Sequence, residues 1–597
     1  MSTTGQAAAT SLGNLPVWNL DDLYRGLDDP KIEADLKAAA SEAKALNARY
    51  AGKIAGLDGD GLAGLLEAYE RLAESLGRIS SFSYLNYCTA MQESARATFN
   101  QTIQERTSDV WTDLLFVTLE LNLIDDAKLK ASLGAARLKR FQPWIRDSRA
   151  FRLHQLSDEA EKLLHERHVV GGAAWGRLFE ETVSGLRFSV QGKELTASET
   201  INLLSNRDRT VRKEAGAALS KGLNENIRLF SLILNTLVKE KEIDDRWRNY
   251  ARPISFRNLS NHVEDEVVNA LTTAVRESFP RLSHRYYRLK AKWLKLDTME
   301  YYDRTAPLPE DDDRVIPWEE AVDVVLTSYA AFSPELAKIG QRFFDERWIH
   351  APVGPGKAGG AFAHGTVPSV HPYLLVNYQG KTRDVMTLAH ELGHGVHNVL
   401  SGHNGPLMMY TPLTLAETAS VFGEQLTFRK LLNAEKDSKR RRVMLAGKCE
   451  DMINTVVRQT AFCEFERRLH EKRRAGELAP DAIGEIWLAV QSESLGPTFR
   501  FDQEYACYWS YISHFVHSPF YVYAYAFGDC LVNALYAVYQ DAATGFQDKY
   551  LAMLRAGSTK RHKELLAPFG LDASDPKFWS KGLGVISGLI DQLEAEL

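Results

Sequence analysis

Between Leu388 and Leu400 the chain reads LAHELGHGVHNVL, which sets His390, Glu391 and His394 in the spacing H-E-x-x-H. On a helix, residues four apart lie one above the other on the same face, so two imidazoles can reach one metal ion. Leu388, Val396, Val399 and Leu400 around the histidines supply the apolar spacing of such a helix. Glu391 then points to the neighbouring side, within reach of a water on the ion. Neutral imidazoles and a carboxylate suit Zn²⁺, one per chain, and three protein ligands leave a fourth position for that water. The chemistry of the pattern is therefore hydrolytic. Most histidines are ordinary polar or packing residues, so the setting matters. Gly393 and Gly395 interrupt the same helix, each costing about 1 kcal/mol relative to Ala, which makes sense where another backbone or a ligand must come close.

The third ligand does not follow from the motif alone. One zinc-protease pattern places a histidine six residues beyond the second, after a glycine at the third, but those places hold Leu400 and His397. His397 lies one turn beyond His394 and fits a supporting or packing role, because three turns of one helix cannot converge on one ion. Glu417, in TLAETASVFGEQL, is the better candidate. Gly402, Gly405, Pro406 and Pro412 leave room for a loop before an antiparallel helix that carries Glu417 toward the histidines. Glu424, two turns further on, falls on the same face and could orient an imidazole. Glutamates on helices are ordinarily surface residues, so spacing leaves Glu417 open between ligand and surface.

A further set of polar groups closes the chain's chemistry: HFVHSPFYVYAYAFG, His514 to Gly528, with His514, His517, Tyr521, Tyr523 and Tyr525. Attack on a peptide carbonyl builds negative charge on its oxygen, which a Tyr or His donor beside a metal can stabilise. Alternating tyrosines also pack cores, and both readings stand at this point.

The elements that must position these groups are mainly helical. From Asp29 to about Leu133 the sequence is Ala- and Leu-rich with apolar residues at three- and four-residue spacing, as in LAGLLEAYERLAESLGRI. LRFSVQGKELT, Leu186 to Thr196, alternates around Gln191 and Gly192 and predicts a hairpin. A helical run is expected over Asp265 to Lys295, then a short strand at Met299 to Tyr302 and a Pro-rich loop, APLPEDDDRVIP. Just before the metal helix, PVGPGKAGGAFAHG is loop by composition and matches neither a phosphate-binding nor a dinucleotide fingerprint. VHPYLLVNYQG follows as a short apolar strand in which Pro372 predicts an edge position. An exposed edge there could pair with the backbone of an extended peptide.

Composition sets the outer limits. With 597 residues, 45% hydrophobic and 25% charged, the chain can bury a large core over more than one domain. A formal net charge of −6 argues against nucleic acid as partner. The opening, MSTTGQAAATSLGNLP, has no basic or apolar leader pattern, and no run approaches a membrane span, so no membrane association and a cytoplasmic location are expected. Cys88, Cys449, Cys463, Cys507 and Cys530 are scattered and form no C-x-x-C pair, as expected of reduced, buried thiols.

Three segments carry a family resemblance: HELGHGVH at His390 to His397, LAETASVFGE at Leu415 to Glu424, and HSPFYVYAYAFG at His517 to Gly528. Together they resemble oligoendopeptidase F, of the M3 zinc oligopeptidases that also include thimet oligopeptidase. The resemblance runs from PVWNLDDLY at Pro16 to FWSKGL at Phe578, through RLKAKWLKLDTMEYYDRTAPLP and GKAGGAF. It implies a mainly α, two-lobed zinc peptidase enclosing a deep channel, with a small β-sheet near the HExxH helix. It divides the chain into an N-terminal helical region at 1–110, an oligopeptidase F-like helical domain ending in a hairpin at 111–197, and an M3-type catalytic domain at 198–597. Carried over by position, His390, His394 and Glu417 hold zinc, Glu391 activates water, and His514 with one or more of Tyr521, Tyr523 and Tyr525, Tyr521 and Tyr525 foremost, meets the substrate carbonyl. The implied activity is hydrolysis of internal bonds in short unstructured oligopeptides. Two alternatives remain: a zinc carboxypeptidase of similar helical outline, and a non-catalytic helical peptide-binding protein with structural zinc. Structural zinc usually takes four protein ligands, and no fourth is evident here.

Overall fold

Runs of apolar residues at helical spacing, stopped by glycines, prolines and capping carboxylates, make this chain mainly helical, with seven short strands in three small sheets among the described residues. The computed structural model describes residues 12–309, 314–541 and 544–596. Most of the opening arm and the acidic centre of APLPEDDDRVIP lie outside the described residues. Two compact units divide the rest, each assembled from three separate segments: Met1–Arg152, Asp313–Ala434 and Val538–Gly570; and Leu153–Asp312, Glu435–Ala537 and Leu571–Leu597.

In the first unit, Pro30–Tyr50, Gly59–Thr89 and Ser94–Leu114 are long helices. Asp29 and Asp58 start the first two by accepting backbone N–H groups from Lys31 and Gly61 at 2.9 and 2.8 Å. Ala39, Ala43, Leu62, Leu65, Leu66, Leu72, Val110 and Leu114 are shut inside between them, the apolar stripe expected from their spacing.

The part of this unit that bears on function is a three-stranded sheet and two helices. Strands β1 (Ile349–His350), β2 (Phe362–His364) and β3 (Tyr373–Leu375) lie in the order β1-β3-β2, β1 parallel and β2 antiparallel to β3. The expected edge position of the VHPYLLVNYQG strand is therefore wrong: β3 is central. Pro372 is accommodated because it precedes the first paired residue and removes no ladder hydrogen bond. The outer strand is β2, inside the glycine-rich stretch that composition reads as loop throughout, since three residues are too few to show a period of two. Helix α1 (Thr382–Ser401) follows, its start secured by Asp384, which accepts the N–H groups of Gln379 and Lys381 at 2.8 and 3.0 Å. Val385, Leu388, Leu392, Val396 and Leu400 form its buried face. Helix α2 (Ser420–Ala434) packs against it.

In the second unit, Phe188–Val190 and Lys193–Leu195 pair antiparallel across Gln191 and Gly192, both at positive φ, as the hairpin pattern predicts. Met299–Glu300 is a strand, paired in parallel with Phe499–Arg500. It is shorter than expected because Tyr301–Asp303 turns at once, with buried Asp303 clamped by Arg209 and Arg212 at 2.8 and 2.9 Å. The expected helix from Asp265 to Lys295 breaks at Phe279–Arg281, where Pro280 lacks the N–H a continuous helix needs. All five cysteines are free and buried. No described helix is long and apolar enough to cross a membrane.

Candidate metal centre

Helix α1 sets the His390 and His394 rings with centroids 4.9 Å apart. Their Nε2 atoms face one carboxylate oxygen, Glu417 Oε2, at 3.2 and 3.5 Å. These three are the one group of His, Cys, Asp or Glu among the described residues whose ligand atoms could all reach a single ion, within 4.8 Å of one another. The spacing suits a tetrahedral ion, because ligands about 2.0–2.1 Å from a centre stand about 3.3 Å from each other. The remote nitrogens are also engaged. His390 Nδ1 lies 3.2 Å from Glu424 Oε2, and His394 hydrogen-bonds the Ala416 backbone. Each partner takes the remote N–H, so that loss of the inner proton leaves a lone pair facing inward.

Glu417 does not sit within an antiparallel helix, as the spacing suggested. It ends a short turn of helix, Leu413–Ala416, in the tight turn before α2, where Ser420 donates to its Oε2 at 2.7 Å. Gly393 explains how the turn reaches α1. A Cβ there would lie 2.6 Å from both Ala419 O and Ser420 Cα, so only glycine lets the two backbones approach this closely. Tyr550 holds the same turn from below, donating to Thr418 O at 2.7 Å. Gly395 makes room for the Phe343 ring. His397 is buried, bonded to the Leu554 backbone and outside the trio. Its role is packing.

Charge balance within the centre follows from burial and pairing. For Glu417, burial disfavours the carboxylate, but its hydrogen bond to His390 and the two imidazoles outweigh this and hold its pKa well below the usual range. For His390, burial is outweighed by Glu417 and Glu424, so the metal-free ring holds its proton well above the ordinary histidine range. His394 is pushed down to about 4, chiefly by burial, leaving it neutral and ready to donate a lone pair. Glu391 is buried, and burial raises it to about 7, the range in which a carboxylate exchanges protons at neutral pH. The Ala363 N–H of β2 donates to it, tying the outer strand to the candidate base. Beside β2 lies a cavity of about 520 Å³ lined by Tyr84, Trp111, His364, Leu407 and Tyr410 among others.

The His/Tyr segment belongs to the second unit. His514 begins a single helical turn, His514–His517, and its Nε2 is 3.3 Å from the Tyr525 hydroxyl. The Tyr521 and Tyr525 rings stand 5.2 Å apart, and the Arg257 guanidinium lies 5.7 Å from the Tyr521 ring. Tyr523 has turned the other way: it is fully buried and its hydroxyl accepts from Asn261 Nδ2 at 2.8 Å. His517 is engaged by Glu180 at 2.8 Å. Core and donor readings thus divide along one segment, Tyr523 packing and His514, Tyr521 and Tyr525 clustering. Sequence reasoning missed Ser420 and the Ala363 N–H. A serine three places after Glu417 was a usable signal; a backbone donor from a three-residue strand was not.

Two imidazoles from one helix, a carboxylate brought in by a turn and a buried glutamate beside them mark a metallopeptidase of the hydrolase class. The model of peptidase family M3 matches residues 202–585, that of oligopeptidase F matches residues 120–188, and the chain belongs to peptidase family M3. It is 28% identical over 592 residues to oligopeptidase PepF of Bacillus subtilis, covering 97% of this chain and 86% of that one. It is 27% identical over 512 residues to the oligoendopeptidase F homolog of Borreliella burgdorferi, covering 85% and 86%. Its fold matches the crystal structure of oligoendopeptidase-F from Enterococcus faecium at a TM-score of 0.70, with 20% identity and coverage of 95% and 99%.

Proposed function

We propose that this peptidase is a zinc endopeptidase that cuts internal bonds of short, unstructured oligopeptides. The observation that carries the reading is the approach of two Nε2 atoms to Glu417 Oε2, each imidazole fixed from behind by its own partner. His390, His394 and Glu417 would hold one zinc ion, which supplies Lewis-acid polarisation of a carbonyl and acidifies a water. Glu391 takes a proton from the attacking water as its oxygen bonds to the scissile carbon. When the carbon–nitrogen bond breaks, Glu391 returns that proton to the leaving amine. The Ala363 N–H keeps the carboxyl aimed, while burial raises its pKa to about 7. His514, Tyr521 and Tyr525 donate to the carbonyl oxygen as negative charge builds on it. The outer strand β2 offers backbone groups to an extended peptide, and the adjoining cavity suits an apolar side chain of that peptide. Five free, buried thiols fit a reducing compartment, and the cytoplasm is the proposed location.

The test is zinc stoichiometry measured together with cleavage of an internally quenched oligopeptide, with and without a chelator. One zinc per chain, activity lost on chelation and restored by zinc, and products from an internal cut are the expected results. Zinc-loaded protein that cuts no peptide would favour a structural ion, and release of single C-terminal residues would favour a carboxypeptidase.

A further inference from the structure

The glycine-rich stretch that leads into β2 is held from beneath by one of its own side chains. Val353, Gly354, Pro355, Gly359 and Gly360 are exposed, while Lys357 is partly buried under them. Its Nζ donates to Val376 O at 2.7 Å, to Pro352 O at 2.7 Å and to His350 O at 3.2 Å. An ammonium has three N–H donors and no acceptor, so each donor is spent on a backbone carbonyl. His350 and Val376 mark the ends of β1 and β3, where His350 O also accepts the Val376 N–H at 3.1 Å. Lys357 therefore ties the loop to the ends of both strands.

The same loop is fixed at further points within the first unit. Asn377 Nδ2, just past β3, donates to Ala358 O and Gly360 O at 3.0 and 2.8 Å. Gly356 O accepts the Met91 N–H at 2.6 Å, and the Ala358 N–H donates to Cys88 O at 2.8 Å. Two residues past Gly360 the chain enters β2, where the Ala363 N–H meets Glu391. Lys357 pairs with no carboxylate among the described residues. The titratable and charged groups around it are His350 on β1, Arg96, which is paired with Glu93 and whose charge also reaches His350, and the Cys88 thiol. Burial, followed by the Lys357 charge, pushes His350 down to about 4, and burial raises the Cys88 thiol. Burial pushes the Lys357 ammonium down to about 8, so among these groups it is the one that titrates just above neutral pH.

We propose that Lys357 is a positioning residue for peptide hydrolysis: its charged side chain sets the path of the loop into β2, and thereby the aim of the Ala363 N–H on Glu391. The inference rests on the reading of Glu391 as the base. Loss of the proton leaves two N–H donors and one lone pair before three carbonyls, so one of the three contacts turns repulsive. The loop then loosens at the ends of β1 and β3, and Ala363 drifts with it. A displacement of about 1 Å at a group that aims a catalytic side chain costs on the order of 100-fold.

The test removes the side chain and returns it in pieces. Lys357→Ala should keep one zinc per chain and lower kcat/KM about tenfold or more, chiefly through kcat. n-Propylamine, which supplies the missing carbons and the ammonium, should restore most of the activity, and 1-propanol none. Amide hydrogen exchange over residues 352–365 should quicken in Lys357→Ala and slow again with the amine. Native kcat/KM should decline above about pH 8, and Lys357→Met, low throughout, should lack that decline. Native activity in Lys357→Ala, equal rescue by amine and alcohol, or loss of zinc from the variant would each overturn the proposal. A native profile level from about pH 7 to about pH 9.5 would overturn it too, and needs no variant that folds. Should the native enzyme cut no peptide, the peptidase reading falls, while the exchange rates and their response to the amine still decide whether Lys357 holds the loop. Faster exchange with kcat/KM intact would break the link to Glu391 and leave the peptidase reading standing.

Discussion

The two clusters of functional groups are built on opposite electrostatic plans. In the first unit, imidazoles and carboxylates alternate: Glu424, His390, Glu417 and His394 form a chain in which each member faces an opposite partner, with contacts of 3.2 to 3.5 Å. In the second, His514 and the tyrosines sit near Arg458, which has no carboxylate partner among the described residues. A satisfied carboxylate–imidazole chain suits holding a cation, whereas neutral donors beside an unpaired cation suit receiving an oxygen that carries or gains negative charge. The two groups are also encoded differently. The first lies within 35 residues, His390 to Glu424; the second draws on Arg257, Arg304, Arg458 and His514 to Tyr525.

That contrast can be broken most severely at the metal-binding chain. His394→Ala should remove one of three ligands and abolish both zinc retention and turnover, a loss of about 1000-fold or more in kcat/KM; a variant that still binds one zinc tightly would discount the trio. Glu391→Gln should keep zinc and fold but lose at least about 100-fold in kcat, and normal hydrolysis of a quenched oligopeptide would reject its role as base. Glu424→Gln, which weakens the hold on His390 Nδ1, should lower zinc affinity by about 10–100-fold, measured by chelator competition.

In the other cluster the expected effects are smaller and should separate neighbours. Tyr525→Phe should reduce kcat by about 10-fold or more with little change in stability, because its hydroxyl faces His514. Tyr523→Phe should leave kcat alone and cost about 1 kcal/mol of stability through the lost bond to Asn261. Reversed outcomes would exchange their assignments.

An effect on stability alone, set by pH, concerns Glu466, buried behind the tyrosine segment, whose Oε1 accepts the Phe520 N–H at 2.8 Å. Burial raises its pKa from 4.5 to about 8. The folded protein then keeps a proton up to about pH 8 that the unfolded chain releases near 4.5, so the unfolded state binds fewer protons across this window. Stability should therefore fall as pH rises from 4.5 to 8, by at most about 1.4 kcal/mol per unit from this group. Glu466→Gln should flatten that slope, shown by denaturation midpoints at pH 5 and pH 8. An unchanged slope would mean that the carboxyl is solvated.

Several of these features were legible without coordinates because they are local. The helix of His390 and His394, the hairpin at Gln191–Gly192 and the need for glycine at 393 all follow from periodicity and backbone freedom over a few residues. The pairing of Glu424 with His390 was within reach because i and i+7 share a helix face, although Glu417 itself lies in a turn. Strand β2 was not legible, since its place as the outer strand depends on β3, which composition pointed to instead. The split between Tyr523 and its neighbours was equally hidden, because alternation does not tell which hydroxyl finds Asn261.

By itself, then, the sequence determined the H-E-x-x-H spacing, the mainly helical class and the acidic balance of the composition, all of which depend on residue type and short-range spacing. Tertiary structure alone decided that Glu417 and Glu424 grip opposite nitrogens of one imidazole, that a backbone N–H meets Glu391, and that Arg458 has no counter-ion among the described residues. Those outcomes depend on which distant groups share a few ångströms, and hydrogen bonds and ion pairs are set by that distance, not by position along the chain.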